Sequence, residues 1–155
     1  MNRNRQTWEG SPGSRPLGIV GVFLALVSAS ALAHHGDAGR YEDAITTLFG
    51  TVVTLQLINP HSSVILDVED ENGQIVRWHA EFSNATGLAR IGWTRETLKP
   101  GDRIAVSGRR VKSGAPHINL SERARMIKLE TCEEVYRSGM IFGDPPDYPA
   151  PECEL

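Results

Sequence analysis

Residues 61–82 read HSSVILDVEDENGQIVRWHAEF, and their alternation decides the fold. In the first run Val64, Leu66 and Val68 fall on one face, with Ser63, Ile65 and Asp67 on the other. In the second run Val76, Trp78, Ala80 and Phe82 share a face, opposite Arg77, His79 and Glu81. Period-two patterning of this kind marks half-buried strands. Glu71-Asn72-Gly73 suits a three-residue hairpin whose last position needs a positive φ, which glycine adopts without steric cost. That loop length sets Leu66 against Trp78 and Val64 against Ala80 inside the sheet. Outside, it sets Asp67 against Arg77, Ile65 against His79 and Ser63 against Glu81. A two-residue Asn72-Gly73 turn would oppose apolar to polar residues, so the pattern rejects it. The Asp67–Arg77 charge pair agrees with the chosen register.

Outward from this hairpin, residues 48–58 (LFGTVVTLQLI) form a β-branched first strand with Gly50 as a bend, ending at the Asn59-Pro60 turn signal. A polar leader, residues 34–43, precedes it. Residues 84–91 (NATGLARI) predict a short helix with Asn84 as cap and Gly92 as terminator, weakened by Gly87. Trp93 is expected to pack beneath it. Lys99-Pro100-Gly101-Asp102 places Pro and Gly where a type II turn wants them. A fourth strand follows over 103–111 and a fifth over 117–129, with a bulge expected near Met126-Ile127. Three strands, a short helix and two strands is the order of the OB-fold, a small five-stranded barrel. A mainly β, OB-like barrel is therefore the expected fold, with a small sandwich of the same elements as the alternative.

The N-terminus reads differently. Arg3, Arg5 and Arg15 lead into an apolar stretch, residues 17–32, that ends in Ala31-Leu32-Ala33. This is the pattern of a cleaved export signal, and the stretch is short and rich in Gly and Ser compared with the about 20 apolar residues of a membrane span. Cleavage would remove 33 of the 155 residues and start the mature protein at His34. The domain expectation is a signal peptide over 1–33, a barrel over 34–130 and a Pro-rich tail over 131–155, in the periplasm of a Gram-negative bacterium, with no transmembrane segment after cleavage. Cys132 and Cys153 both survive cleavage, and an even count in an oxidising compartment predicts a disulfide that pins the tail.

Five short motifs occur in one order: Ala33-His34-His35, Asn59-Pro60-His61, Trp78 with Glu81, Leu88-Ala89-Arg90 with Gly92-Trp93, and the segment from Leu98 to Asp102. Together they resemble an uncharacterised family of small exported bacterial proteins, the domain of unknown function 6152, from about His34 to Leu129. The resemblance implies a periplasmic OB-like barrel and supplies no activity or catalytic residue. Members of that family end soon after the last strand, so the tail with Cys132 and Cys153 is a departure.

No nucleophile–base pair, paired carboxylates or phosphate-cradling glycine loop is legible, so an enzyme is not expected. The residues from Arg103 to Lys128 carry seven basic side chains against Glu122 alone. That imbalance suggests an anion-binding face with Arg109, Arg123 and Arg125 as its candidates, or simply the wet face of a sheet. Nucleic acid is not expected, because the chain is exported and lacks a series of outward aromatics for stacking. The histidines offer a second chemistry, since neutral imidazole is the commonest metal ligand. Once cleaved, His34 would present an amine and a ring to one cation, with His35 beside it and His61, His79 or His117 as distal partner. Copper is the ion this implies. His61 and His79 lie four residues apart along the ladder, roughly 13 Å at strand rise, too far to share an ion. Glu81 sits diagonally from His61 and would orient its ring. His79 reads as a wet-face residue, and His117 fits either role. The expectation is a non-catalytic binding module for an unknown periplasmic ligand or protein, with a copper-binding protein built on His34, His35 and His61 as the alternative.

Overall fold

Pairing with a later strand carries the first strand well upstream of residue 48. The computed structural model describes residues 39–146, 148–151 and 153, and in it β1 runs Tyr41–Gln56. The others are β2 (Ser62–Glu69), β3 (Ile75–Phe82), β4 (Arg103–Val111), β5 (His117–Asn119), β6 (Arg125–Lys128) and β7 (Glu133–Arg137). Between β3 and β4 lies one short helix, α1 (Ala85–Arg90).

The strand order β1-β2-β3-β5-β4 closes through a β1–β4 pairing into a five-stranded barrel. Strands β3 and β5 pair in parallel, and the other barrel pairings are antiparallel. The β2–β3 register is the expected one at every named pair, including Leu66↔Trp78 and Asp67↔Arg77. Gly73 adopts φ +77° at the hairpin, and Arg77 forks onto both oxygens of Asp67 at 2.9 and 3.1 Å. Strand β1 serves β4 with its first two-thirds and β2 with its last third, and both ladders meet at Thr51. Gly50 precedes that corner, where a Cβ would lie 2.7 Å from the Asp67 carbonyl oxygen; the strand coils there because the neighbouring backbone leaves no room for a side chain.

Two expectations change. The polar leader ends earlier than residue 43, because Tyr41 already pairs with Val111. The continuous fifth strand over 117–129 is instead two strands. β5 covers the end of β4 at Arg109 and Arg110, and β6 covers its start from Ile104 to Ser107. Between them Leu120 turns inward, its amide donating to the Glu81 carbonyl at 2.8 Å, and Gly108 lies directly beneath. A Cβ on Gly108 would meet the Asn119 carbonyl oxygen at 2.5 Å. The irregularity at Met126–Ile127 is present in the β6–β7 pairing.

The barrel holds a single apolar core including Val64, Leu66, Phe82, Leu88, Ile104, Ile118 and Met126. At the α1 end, Phe82, Trp93 and Tyr136 meet edge to face or tilted, with centroids 5.1–6.3 Å apart. The Asn84 side chain caps α1 by accepting from the Gly87 amide at 2.7 Å, as its residue type predicts. Gly87 is helix-weakening by propensity, but a Cβ there would stand 2.9 Å from Ile141 of the tail. The turn at residues 99–102 has the expected bond from the Asp102 amide to the Lys99 carbonyl, with Gly101 at φ +96°.

The tail is part of the fold. β7 pairs with β6, Val135 and Tyr136 are buried in the core, and the Val135 carbonyl accepts the Trp93 indole N–H at 2.9 Å. Cys132 and Cys153 form a disulfide. Among the described residues no helix is long and apolar enough to cross a membrane.

Candidate metal centre

The parallel β3–β5 pairing sets His79 directly beside His117 and Glu81 beside Asn119. Alternation turns the histidines and Glu81 out of the core, because Trp78, Ala80 and Phe82 fill the inner face. The two Nδ1 atoms stand 3.2 Å apart, and the rings lie nearly parallel, 27° between planes and 5.0 Å between centroids. A carboxylate oxygen of Glu81 joins them in a group whose donor atoms all lie within 4.8 Å of one another. Beyond it, His61 Nδ1 is 3.7 Å from Glu81 Oε1. The wall therefore carries a row in the order His61, Glu81, His79, His117. Tyr41 backs the row, its ring 6.5 Å from His117 and its hydroxyl 3.4 Å from the Asn119 amide.

Electrostatics favour a neutral His117. Its Nε2 is buried without a hydrogen-bond partner, and a protonated ring must carry an N–H at both nitrogens. Burial first, then the neighbouring His79, hold its pKa below the ordinary 6.5, against an upward pull from Glu81 and with a further downward push from Arg40. The neutral ring is the form that ligates a metal. Two nitrogens about 2.0–2.1 Å from one tetrahedral ion lie about 3.3 Å apart, close to the 3.2 Å seen. A cation between the two Nδ1 atoms can take a lone pair from each neutral ring, with the one proton of each ring then on Nε2. Glu81 must close by roughly 1–1.5 Å to complete three ligands at such bond lengths.

The chain matches the Family of unknown function (DUF6152) over residues 22–119. It belongs to that family. The matched span ends with the last residue of β5, so it contains His61, His79, Glu81 and His117, while β6, β7 and the disulfide lie beyond it. No curated protein matches the chain.

The sequence-derived candidates fall in three places. His34 and His35 lie outside the described residues, as does the expected cleavage point. His61 does meet Glu81, as the register required. His79, read from sequence as a simple wet-face residue, is instead half-buried against His117, because β5 rather than solvent flanks that edge of β3. The signal for this pairing was present in principle, since the OB order makes the third and fifth strands neighbours. Of the arginines, Arg109 reaches Asp43 at 3.3 Å and Glu122 at 3.4 Å. Arg123 donates to the Asp43 carbonyl at 3.4 Å and lies over the Tyr148 ring. Arg125 is paired with Glu134 and donates to the Tyr148 carbonyl. Their charges are largely answered by the protein itself.

Proposed function

We propose that this DUF6152 chain is an exported, non-catalytic binding module that holds a divalent late first-row metal ion on its barrel wall. His79 and His117 ligate through Nδ1, Glu81 supplies the third donor, and His61 orients Glu81. The observation that carries this reading is the 3.2 Å separation of the two imidazole nitrogens beside a carboxylate. Two nitrogen ligands favour Cu(II), which stands highest in the divalent affinity order, followed by its neighbours Ni(II) and Zn(II). Ligation through Nδ1 leaves the remaining His117 proton on a buried nitrogen with no partner. Loss of such outer-shell support typically costs about 10–100-fold in affinity, so the site is suited to exchange rather than permanent retention.

Intact mass of exported protein is expected to start at His34.

Calorimetric titration of the purified protein with Cu(II) and Zn(II) tests the reading. His79→Ala and His117→Ala are each expected to weaken binding at least tenfold, and His61→Ala by a few-fold. Adding one residue before His34 lowers Cu(II) affinity only if the terminal amine contributes. Wild-type protein that takes up neither ion, or His79 and His117 variants that bind as well as wild type, would overturn it.

A further inference from the structure

The opposite surface of the same strands holds a second feature, at the barrel mouth formed by the β2–β3 hairpin and the loop after β4. A cleft of about 620 Å³ opens there, walled by Leu48, Phe49, Val68, Val76 and Trp78, within the size range of small-molecule sites. Arg110 reaches into it. On β4, Ile104, Val106 and Gly108 precede Arg110 on the face turned to the core, and Arg110 itself pairs with the fully buried Ile118. Its guanidinium lies 4.8 Å over the Trp78 ring, and its Nε is buried without a hydrogen-bond partner. No carboxylate among the described residues pairs with it, although Glu69, Asp70 and Glu71 stand at the lip of the same cleft. Asp70 is committed elsewhere, accepting from the Asn72 and Gln74 amides at 2.9 and 2.8 Å.

An inward-facing, half-buried guanidinium held by stacking alone is a group awaiting an acceptor, since a buried donor left unsatisfied is costly. We propose that the barrel mouth binds a small amphiphilic monocarboxylate. The carboxylate meets Arg110, whose planar fork matches that group, and the apolar body lies on Leu48, Val68, Val76 and the half-exposed Phe49. Charge sets the valence of the ligand: Arg110 is the single cation among the lining residues, and the acidic hairpin at the lip repels a dianion such as phosphate.

The probes are 2-naphthoate, its uncharged counterpart 2-naphthylmethanol and inorganic phosphate, titrated into the disulfide-intact protein by calorimetry with indole fluorescence as a second readout. Naphthoate is expected to bind at least tenfold more tightly than the alcohol and to quench Trp78, and phosphate not to compete. Arg110→Gln should abolish the preference for the carboxylate. Phe49→Ala, at a position 55% exposed and therefore tolerant for folding, should weaken naphthoate several-fold while keeping the preference. Equal affinity for acid and alcohol, no binding of naphthoate, competition by phosphate, or an Arg110→Gln protein that keeps the preference would each overturn the proposal.

Discussion

His117 couples the proposed metal chemistry to pH. Its pKa is lowered in the folded chain by burial and by His79, so the unfolded chain binds the proton more readily. Stability from this residue is therefore fully present above about 6.5, the unfolded imidazole value, and is lost as pH falls through the lower folded value. Chemical denaturation of metal-free protein is expected to show stability declining on the acid side of 6.5, and His117→Gln should flatten that decline. An unchanged slope in the variant would place the acid sensitivity elsewhere. Metal occupancy should fall in the same direction, because protons compete for the same nitrogens. The Asp67–Arg77 pair works differently. Arg77 holds the Asp67 carboxyl below its ordinary value, chiefly through their hydrogen bond, but both groups are solvent-exposed, so the pair marks the register more than it contributes stability.

The element on which both candidate sites depend is the junction of β4 and β5. Three residues of β5 hold His117 against β3, and their place is set by Gly108, which lets the Asn119 carbonyl and the Leu120 side chain approach the β4 backbone. Gly108→Ala is expected to cost about 1–3 kcal/mol by overpacking, read by denaturant unfolding. Because the nearest obstacle is backbone, β5 has to move, and metal affinity should fall with stability. A variant that loses stability but binds metal as wild type would show that His117 is positioned by something other than this contact. No propensity distinguished Gly108 from any other strand glycine in the sequence; its role comes from a chain segment ten residues downstream folding back over it.

At the scale of the molecule, the segment beyond the family match packs onto the closed barrel, with β6 added beside β4 and β7 beside β6, rather than trailing from it. Tyr136 donates to the Leu120 carbonyl at 3.2 Å, Trp93 donates to Val135, and Ile141 packs on α1 at Gly87. The Cys132–Cys153 link closes 21 residues of separation across this segment. By chain entropy such a closure stabilises by about 3 kcal/mol. The double variant Cys132→Ser, Cys153→Ser is expected to lose about that much in reversible denaturation, with the barrel circular dichroism retained at low temperature. A loss below about 1 kcal/mol would mean that β7 and its aromatic contacts anchor the tail without the covalent link.

The sequence by itself determined the hairpin of β2 and β3, its register, the Asn84 cap, the type II turn and the succession of three strands, a helix and further strands along the chain. These are local, carried by period-two alternation, by turn residues with fixed φ requirements and by short separations along the chain. Only the tertiary structure decided what β3 and β5 bring together. His79 and His117 are 38 residues apart, and nothing in either neighbourhood states that a three-residue strand will lay one imidazole beside the other. The same holds for Arg110, which reads as one of several basic residues until barrel closure turns it over Trp78. Local patterning fixes which face each side chain takes. Long-range pairing fixes which faces meet, and the chemistry of this protein lies in those meetings.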